Sequence, residues 1–132
     1  MPGNGALHLT GQLGSVITES AQLAFAWIKS HAYELGITPK AEIGSEKEKN
    51  VFRDLDIHIH LPSGGVKKDG PSAGVAMVVA MVSLMRGMKV NHGVAMTGEI
   101  TLRGNVTAVG GIKEKVRRIF FCDIDAGSFP FF

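Results

Sequence analysis

The 132-residue chain has a single cysteine, Cys122, one tryptophan and one tyrosine. One thiol excludes an internal disulfide and is too few for a cysteine-based zinc site, which favours a reducing, intracellular compartment. Charge of one sign is also scarce, because 14 Lys and Arg stand against 12 Asp and Glu, giving a net charge of +2. Long-range attraction to nucleic acid or to an anionic membrane surface is therefore not expected.

Long hydrophobic runs are missing as well. The longest apolar stretch, from Ala73 to Met85, is broken only by Ser83 and is shorter than the roughly 20 residues that span a bilayer. The sequence does contain 45% apolar side chains, at a length close to the commonest domain size. This predicts one globular domain over residues 1–132, with one hydrophobic core.

The order of the predicted elements is mixed, which indicates an α+β fold class. Apolar spacing over 15–35 predicts a helix with Ser15 as its N-cap and Gly36 at its end. Residues 72–85 are apolar on every side, so we expect a central helix buried by other elements. The charged segment 38–50 is typical of a solvated loop.

Strands are predicted where apolar and polar residues alternate, most clearly over 56–61. The other predicted strands span residues 6–10, 94–97, 99–103 and 106–109. A tight hairpin is expected at Gly104-Asn105, and Gly110-Gly111 turns the chain into a last helix.

Residues 70–74, GPSAG, match the G-x-S-x-G pattern, in which small neighbours expose a serine hydroxyl at the start of a helix. The pattern leaves two interpretations of Ser72 open. As a helix N-cap, its hydroxyl accepts a hydrogen bond from a first-turn N–H. As a nucleophile, it lies beside unpaired N–H groups and the positive end of the helix dipole, which favour an oxyanion.

A nucleophilic serine needs a group that accepts its proton. A Ser-His-Asp hydrolase is disfavoured, because ten residues separate Leu61 from Ser72 and only His92 follows the serine. His58 and His60, on the preceding predicted strand, stay open as bases. They also stay open as a pair of metal ligands, although no third and fourth ligands are evident.

Two lysines are the other candidate bases. Apolar surroundings lower the pKa of a lysine from about 10.4 towards neutrality, which makes the amine a usable base. Residues 110–116, GGIKEKV, begin a predicted helix, and Lys113 and Lys115 lie on opposite borders of its apolar stripe. A cation in the first helical turn is disfavoured by the dipole. Periodicity does not choose between the two lysines.

Five segments, in the same order along the chain, closely resemble the proteolytic domain of Lon proteases. They are TGQLG (10–14), DIHIHLP (56–62), DGPSAG (69–74), AMTGEITLRG (95–104) and VGGIKEK (109–115). The resemblance implies a Lon-type α+β domain whose buried central helix starts at the nucleophile. It also implies a serine endopeptidase that uses a Ser-Lys dyad.

By this match the dyad consists of Ser72 and Lys115, because the dyad lysine of the family is the second lysine of its GG-[IL]-K-E-K motif. The same carry-over marks Thr97 as a hydroxyl near the dyad lysine. It marks three further supporting positions: Glu99, Asp69 and His60. The implied reaction is attack by Ser72 on a peptide carbonyl, formation of an acyl-enzyme and its hydrolysis, with no metal or organic cofactor.

The resemblance further implies an ATP-driven unfolding ring, a homo-hexamer that degrades unfolded or damaged proteins in protein quality control. This sequence has no G-x-x-x-x-G-K-[ST] phosphate loop, so ATP would be used by a motor domain elsewhere. Neither nucleic acid nor a membrane is an expected partner. An intracellular site is expected, with bacterial cytoplasm, mitochondrial matrix and peroxisome not distinguished.

The sequence departs from the family pattern in three places. Ser15 stands where the family usually has an acidic residue, and Thr107-Ala108 replaces an aliphatic-Pro pair. Residues 117–132 differ from the family's continuation, which predicts an incomplete domain with exposed apolar surface. Two alternatives follow: an inactive truncated fragment that assembles with full-length subunits, and a hydrolase whose base is His58 or His60.

Overall fold

The computed structural model describes residues 1–38, 52–62, 64–65 and 67–117. In chain order these form β1 (Leu7–Thr10), α1 (Ser15–Ser30), β2 (Ile57–His60), α2 (Gly74–Arg86), β3 (Glu99–Ile100) and β4 (Val106–Thr107). Most of the predicted 38–50 loop and of the 117–132 segment, with Cys122, lies outside the described residues. Helices combined with two small strand pairs confirm the predicted α+β class.

The strands β1 and β2 form a parallel pair, and each is followed along the chain by one of the two helices. Leu9 lies beside Ile59, and the aliphatic side chains of β2 face the core while its histidines are exposed. Pairing resumes at a single parallel bridge between Leu13 and Lys68. Past this bridge one segment enters α1 and the other continues to Ser72, so the start of α1 and the candidate nucleophile are neighbours.

The helix α1 buries one face in the core. Its end at Ser30 comes earlier than the predicted residue 35. The Ser30 hydroxyl donates a hydrogen bond to the Trp27 carbonyl (2.8 Å), and the His31 ring nitrogen lies 2.9 Å from the same oxygen. These side chains compete with the backbone for a carbonyl of the last turn. The buried residues of α1 are Ile17, Ser20, Ala21, Ala24, Phe25 and Ile28.

The core lies where α1, α2 and β3 meet. Gly74, the first residue of α2, permits this approach, because a Cβ there would lie 2.9 Å from Ser20 Oγ and 3.0 Å from the Ile100 nitrogen. The core-facing residues of α2 are Gly74, Met77, Val78 and Met81. Leu84, on the opposite side, is 70% exposed. In the described part of the chain, the expected burial of this helix is therefore met on one face only.

The strands β3 and β4 form the predicted antiparallel hairpin, with Glu99 opposite Thr107. Both strands are shorter than predicted. β3 ends at Ile100, where the chain turns: the Thr101 N–H donates to the Asn105 carbonyl (3.0 Å) and the Gly104 N–H donates to the Thr101 carbonyl (2.9 Å). Residues 112–117, after the glycine pair, are helical as predicted. No helix within the described ranges is long and apolar enough to cross a bilayer.

Residues 94–97 do not form the predicted strand. The following residue, Gly98, forms hydrogen bonds with the beginning of α2 instead of a neighbouring strand. Its N–H donates to the Ser72 carbonyl (2.9 Å), and its carbonyl accepts from the Val75 N–H (3.1 Å). This pairing joins the segment before β3 directly to the candidate nucleophile.

Candidate active site

Ser72 lies in a loop of residues 67–73, here called the Ser72 loop, which leads into α2. It is half-buried and precedes Ala73, the N-cap residue of α2, where no side chain forms a capping bond. Of the two interpretations left open for Ser72, the N-cap is therefore wrong. Among the described residues, the Ser72 hydroxyl has no hydrogen-bond partner, whereas the Ser72 carbonyl oxygen has two. The arrangement therefore fixes the backbone of this serine and leaves its hydroxyl unbound.

Thr97 connects Ser72 with a lysine. The Thr97 hydroxyl donates to the Ser72 carbonyl (3.1 Å), and the side-chain nitrogen of Lys115 donates to Thr97 Oγ1 (3.1 Å). A hydroxyl has one proton and two lone pairs, so Thr97 can make both bonds at once. Lys115 is half-buried, whereas Lys113 is exposed. Of the two lysines that periodicity left open, Lys115 is the one that contacts Thr97 among the described residues.

Asp69 ties the Ser72 loop to the start of α1. Its Oδ1 accepts hydrogen bonds from the N–H groups of Val16 (3.1 Å), Ile17 (3.2 Å) and Gly70 (3.1 Å). The α1 N-cap residue is Gly14, and no capping bond comes from its own chain segment. The expected cap, Ser15, is thus replaced by a carboxylate from a distant part of the sequence.

The contact between Asp69 and α1 depends on the glycine at position 14. A Cβ on Gly14 would lie 2.1 Å from the carboxyl carbon of Asp69. The backbone here has φ −80° and ψ 175°, which any residue adopts, so space rather than conformation requires glycine. A second, longer contact, from the Ser20 hydroxyl to the Pro71 carbonyl (3.4 Å), joins α1 to the same loop.

Glu99, on β3, bonds within its own hairpin. The Thr107 hydroxyl donates to Glu99 Oε2 (3.1 Å), and the two residues are also register partners. Such cross-strand pairs stabilise a short hairpin. Among the described contacts, Glu99 does not reach Ser72 or Lys115. Its contact with Thr107 lies in the hairpin that precedes the helical residues 112–117.

His60 lies on the exposed side of the strand pair, apart from Ser72. The Thr10 hydroxyl lies 2.8 Å from His60 Nδ1 and 2.8 Å from His58 Nε2, and its single proton can be donated to only one of the two rings. Within the described ranges neither histidine contacts Ser72. No group of three or more potential ligands in those ranges is placed to hold a metal ion.

Asp56 completes the polar side of the strand pair. Its carboxylate accepts hydrogen bonds from the N–H groups of Ala6 and Asn4 (both 2.8 Å) and lies 3.1 Å from the ring of His8. The Ala6 N–H, followed by His8 and the Asn4 N–H, lowers the pKa of Asp56 from 3.8 to about 2. Hydrogen bonds to the charged form explain this direction. The carboxylate therefore fastens the first residues of the chain to β2.

Sequence reasoning missed the Gly98 N–H beside Ser72 and the Thr10 hydroxyl on the polar side of the strand pair. The Gly98 N–H binds the Ser72 carbonyl, and Thr10 bridges the two histidines. The distant cap of α1 did have a signal in Gly14: a glycine directly before a helix has no side chain to bind the first N–H groups of that helix, which leaves them for an acceptor from elsewhere. No local pattern marks Gly98, because its partner Ser72 precedes α2 in the sequence whereas Gly98 follows it.

Comparison with known proteins gives one consistent family. The family model described as Lon protease (S16) C-terminal proteolytic domain matches residues 1–124. The chain is 48% identical over 130 residues to "Lon protease" of Clostridium acetobutylicum, covering 98% of this chain and 15% of the relative. It is 55% identical over 116 residues to "Lon protease homolog 2, peroxisomal" of Zea mays, covering 88% and 12%. The chain thus spans less than a sixth of these relatives.

Proposed function

Because the chain belongs to the family of Lon protease (S16) C-terminal proteolytic domains, we propose that it is a serine peptidase with Ser72 as nucleophile and Lys115 as general base. One observation carries this assignment: the connection from Lys115 Nζ through Thr97 Oγ1 to the Ser72 carbonyl oxygen, each step 3.1 Å long. It supports a dyad because it joins the amine to the residue whose hydroxyl makes no hydrogen bond with the described residues. The exposed Lys113 has no such contact among the described residues.

In the proposed reaction, the neutral amine of Lys115 accepts the Ser72 proton while Oγ attacks the peptide carbonyl carbon. The oxyanion forms near the N-terminal end of α2, whose dipole favours negative charge. The Lys115 ammonium then protonates the leaving amine, which gives the acyl-enzyme. Lys115 next takes a proton from water as the water oxygen attacks the ester, and the proton returns to Ser72.

Thr97 has a specific part in this reaction. Because its single proton is donated to the Ser72 carbonyl, a lone pair of Thr97 Oγ1 is directed to the Lys115 amine. The bond strengthens when Lys115 becomes an ammonium, since charge-assisted hydrogen bonds are the stronger ones. The direct bond from Ser72 Oγ to Lys115 Nζ, which the described contacts lack, would form with substrate, as catalytic hydrogen bonds often do.

Three further residues support the site in this proposal. Asp69 holds the Ser72 loop against α1, and Glu99 holds the hairpin before the helix of Lys115. His60 orders the strand that precedes the Ser72 loop, through its contact with Thr10. None of the three exchanges a proton with substrate in this scheme.

The wider setting is also proposed from the family. We propose unfolded or damaged proteins as substrates, a homo-hexamer as the working unit, and ATP use by a motor domain outside this sequence, since the relatives are several times longer. No metal or organic cofactor and no nucleic acid or membrane takes part in the scheme. An intracellular compartment is proposed, because the relatives include bacterial proteins and proteins named peroxisomal.

Labelling of the active serine tests the dyad. The 132-residue chain is treated with a peptidyl phosphonate, a reagent that forms a covalent bond with activated serines, and the modified residue is identified by mass spectrometry. Modification is expected at Ser72 and is lost in Lys115→Ala. The matched control, Lys113→Ala, removes a neighbouring lysine and keeps the labelling rate. His60→Ala lowers the rate without abolishing it.

Other outcomes would assign a different function. An unmodified Ser72 in a folded sample would indicate an inactive fragment. Loss of labelling in His60→Ala, with Lys115→Ala still labelled, would indicate a Ser-His hydrolase. Circular dichroism of each variant shows that the fold is kept, so that loss of labelling reports on chemistry.

A further inference from the structure

An apolar groove runs along the second half of α2, towards the C-terminal end of the helix. Trp27 and Leu35 form one side, residues of α2 from Val78 onwards form the other, and Met88 and Val90 lie beyond the end of the helix; we call this surface the Trp27 groove. Its volume is about 320 Å³, within the range of ligand-binding sites. No residue of the proposed dyad lines it. The groove is therefore a second concave surface, separate from the candidate active site.

The indole ring of Trp27 is held in place from two sides. The His31 ring stacks on it, with the ring centroids 4.5 Å apart and an angle of 22° between the planes. Gly104 lies against its edge, since a Cβ on this glycine would be 2.5 Å from Trp27 Nε1. A fixed aromatic wall offers a large apolar contact and loses little conformational freedom when a ligand packs against it.

The charge at the groove is of one sign. Among the described residues that line it, Arg86 is the only charged one, and Lys89 stands in the sequence between the lining residues Met88 and Val90. The Arg86 guanidinium lies beside Gly36, where a Cβ would be 3.6 Å from it. Within the described ranges, the side chains of Arg86 and Lys89 form no ion pair and no hydrogen bond. Both are exposed and thus available to an anionic group.

We infer that the Trp27 groove anchors substrate: an unfolded segment inserts apolar side chains between Trp27 and α2, and an acidic residue beside them pairs with Arg86. An unfolded chain exposes apolar side chains, and the groove removes them from water. The flexible thioether of Met88 adapts to side chains of different shape, as methionine does at surfaces that bind many partners. The choice of substrate as the occupant rests on the proposed function, whereas the affinity of the groove for such a peptide does not.

The distance between the groove and Ser72 sets a minimum length for an anchored substrate. Val82, which lines the groove, lies eight residues after Gly74, the first residue of α2. At a rise of about 1.5 Å per residue, this is about 12 Å along the helix. An extended peptide spans at most about 3.3–3.6 Å per residue, so at least about four residues must separate the anchored segment from the bond that is cleaved.

The first experiment measures binding without cleavage. The probe is a peptide with blocked ends, acetyl-Leu-Phe-Leu-Asp-amide, titrated into the 132-residue chain and into its Ser72→Ala variant. Trp27 is the only tryptophan of the chain, so its fluorescence reports on the groove directly. A saturable change is expected in both proteins. The same peptide with Asn in place of Asp should bind about two- to fivefold more weakly, as expected for the loss of one exposed ion pair. No saturable change, or equal affinity for the two peptides, would overturn the inference.

Matched variants test the cation and the apolar lining separately. Arg86→Gln should lower the affinity for the acidic peptide to that of its neutral version, and its control is Arg103→Gln, at an exposed arginine that does not line the groove. Val90→Asp places a carboxylate in the lining and should abolish binding. Its control is Val94→Asp, the same change at another exposed valine that does not line the groove. Equal effects in a variant and its control would contradict the site.

The second experiment places the same anchor on a cleavable substrate. A fluorogenic peptide carries the anchor at either end of the cleaved sequence, behind a Gly-Ser spacer of about two or about eight residues, on either side of the minimum length. With the long spacer the anchor should lower KM and leave kcat unchanged, because this contact is the same in the ground state and the transition state. Arg86→Gln should raise this KM about two- to fivefold. A gain that does not depend on the spacer length would contradict anchoring in the groove.

The outcomes separate this inference from the proposed function. Peptide binding with an unlabelled wild-type Ser72 would refute the proposed peptidase and not the binding site, whereas labelling of Ser72 without peptide binding would refute the groove alone. A mass in solution that rises with concentration, and falls to that of one chain in Val90→Asp, would assign the groove to a second copy. Tighter peptide binding in Asp123→Asn with Asp125→Asn would assign it to acidic residues of this chain. Either assignment would overturn the inference.

Discussion

Replacing Thr97 with valine removes one hydroxyl and keeps the shape of the side chain. The lost oxygen accepts the Lys115 hydrogen bond and donates to the Ser72 carbonyl, both at 3.1 Å. The Ser72 carbonyl keeps its bond from the Gly98 N–H at 2.9 Å. Thr97→Val therefore releases the lysine amine while the serine backbone stays attached on one side.

The size of the effect follows from these two bonds. A hydrogen bond to a charged group contributes about 1.5–3 kcal/mol. The Lys115 amine is charged in the proposed transition state and neutral before it, so this amount acts mainly on the barrier. At about 1.36 kcal/mol per factor of ten, kcat should fall by roughly 13- to 160-fold. The neutral bond to Ser72 contributes about 0.5–1.5 kcal/mol to folding, so stability should change much less than the rate.

The assay combines turnover of a fluorogenic peptide with thermal unfolding of the same samples. Thr97→Val should lower kcat with little change in KM, because the bond is stronger in the transition state than in the ground state. Thr97→Ser restores the hydroxyl and should restore most of the rate. A Thr97→Val variant with the wild-type kcat, or a Thr97→Ser variant as slow as valine, would refute the role assigned to this hydroxyl.

Three predictions concern stability and are measured by urea unfolding. Ile28→Ala leaves a cavity at a fully buried site and should lower the free energy of unfolding by about 2–5 kcal/mol. Leu84→Ala, at a residue 70% exposed, should lower it by less than about 0.5 kcal/mol. Similar losses in the two variants would contradict the assignment of Ile28, and not Leu84, to the core. The pKa of Asp56 is lowered from 3.8 to about 2, so the stability that its carboxylate contributes is present above pH 3.8 and is lost as the pH falls to about 2. The difference in free energy of unfolding between the wild type and Asp56→Asn should therefore narrow over that pH range. A difference that stays constant would contradict the role of this carboxylate. Gly98→Ala would place a Cβ 2.6 Å from Val106 Cγ1 and cost about 1–3 kcal/mol, which Val106→Ala should relieve; no relief would exclude this clash.

Elements whose own residues show a clear hydrophobic periodicity could be predicted from the sequence. The alternation in β2 and the apolar spacing of α1 are local, and both elements form at those positions. The exposure of Leu84 could not be predicted in this way. An apolar surface on every side of α2 shows what the helix can bury, but which side is covered depends on where α1 and β3 pack.

The contacts at the candidate site depend on residues far apart in the chain. Lys113 and Lys115 are equivalent by periodicity, and the difference between them is the contact of Lys115 with Thr97. Likewise, Ser15 has the local pattern of a cap, yet the first N–H groups of α1 bind Asp69. A capping group needs only to reach the N–H groups in space, so local sequence cannot identify it when the partner lies in another loop.

These non-local contacts hold the Ser72 loop from two directions. Asp69 attaches it to α1, and the segment of Thr97 and Gly98 attaches the Ser72 carbonyl from the side of β3. Every one of these bonds uses a backbone group or a neighbouring side chain, and none uses the Ser72 hydroxyl. Ordering the backbone of one residue costs about 1–2 kcal/mol of conformational entropy, and for Ser72 this cost is already met when the protein folds, before substrate binds. A serine held in this way loses little further freedom in reaction, which is the condition for catalysis by positioning.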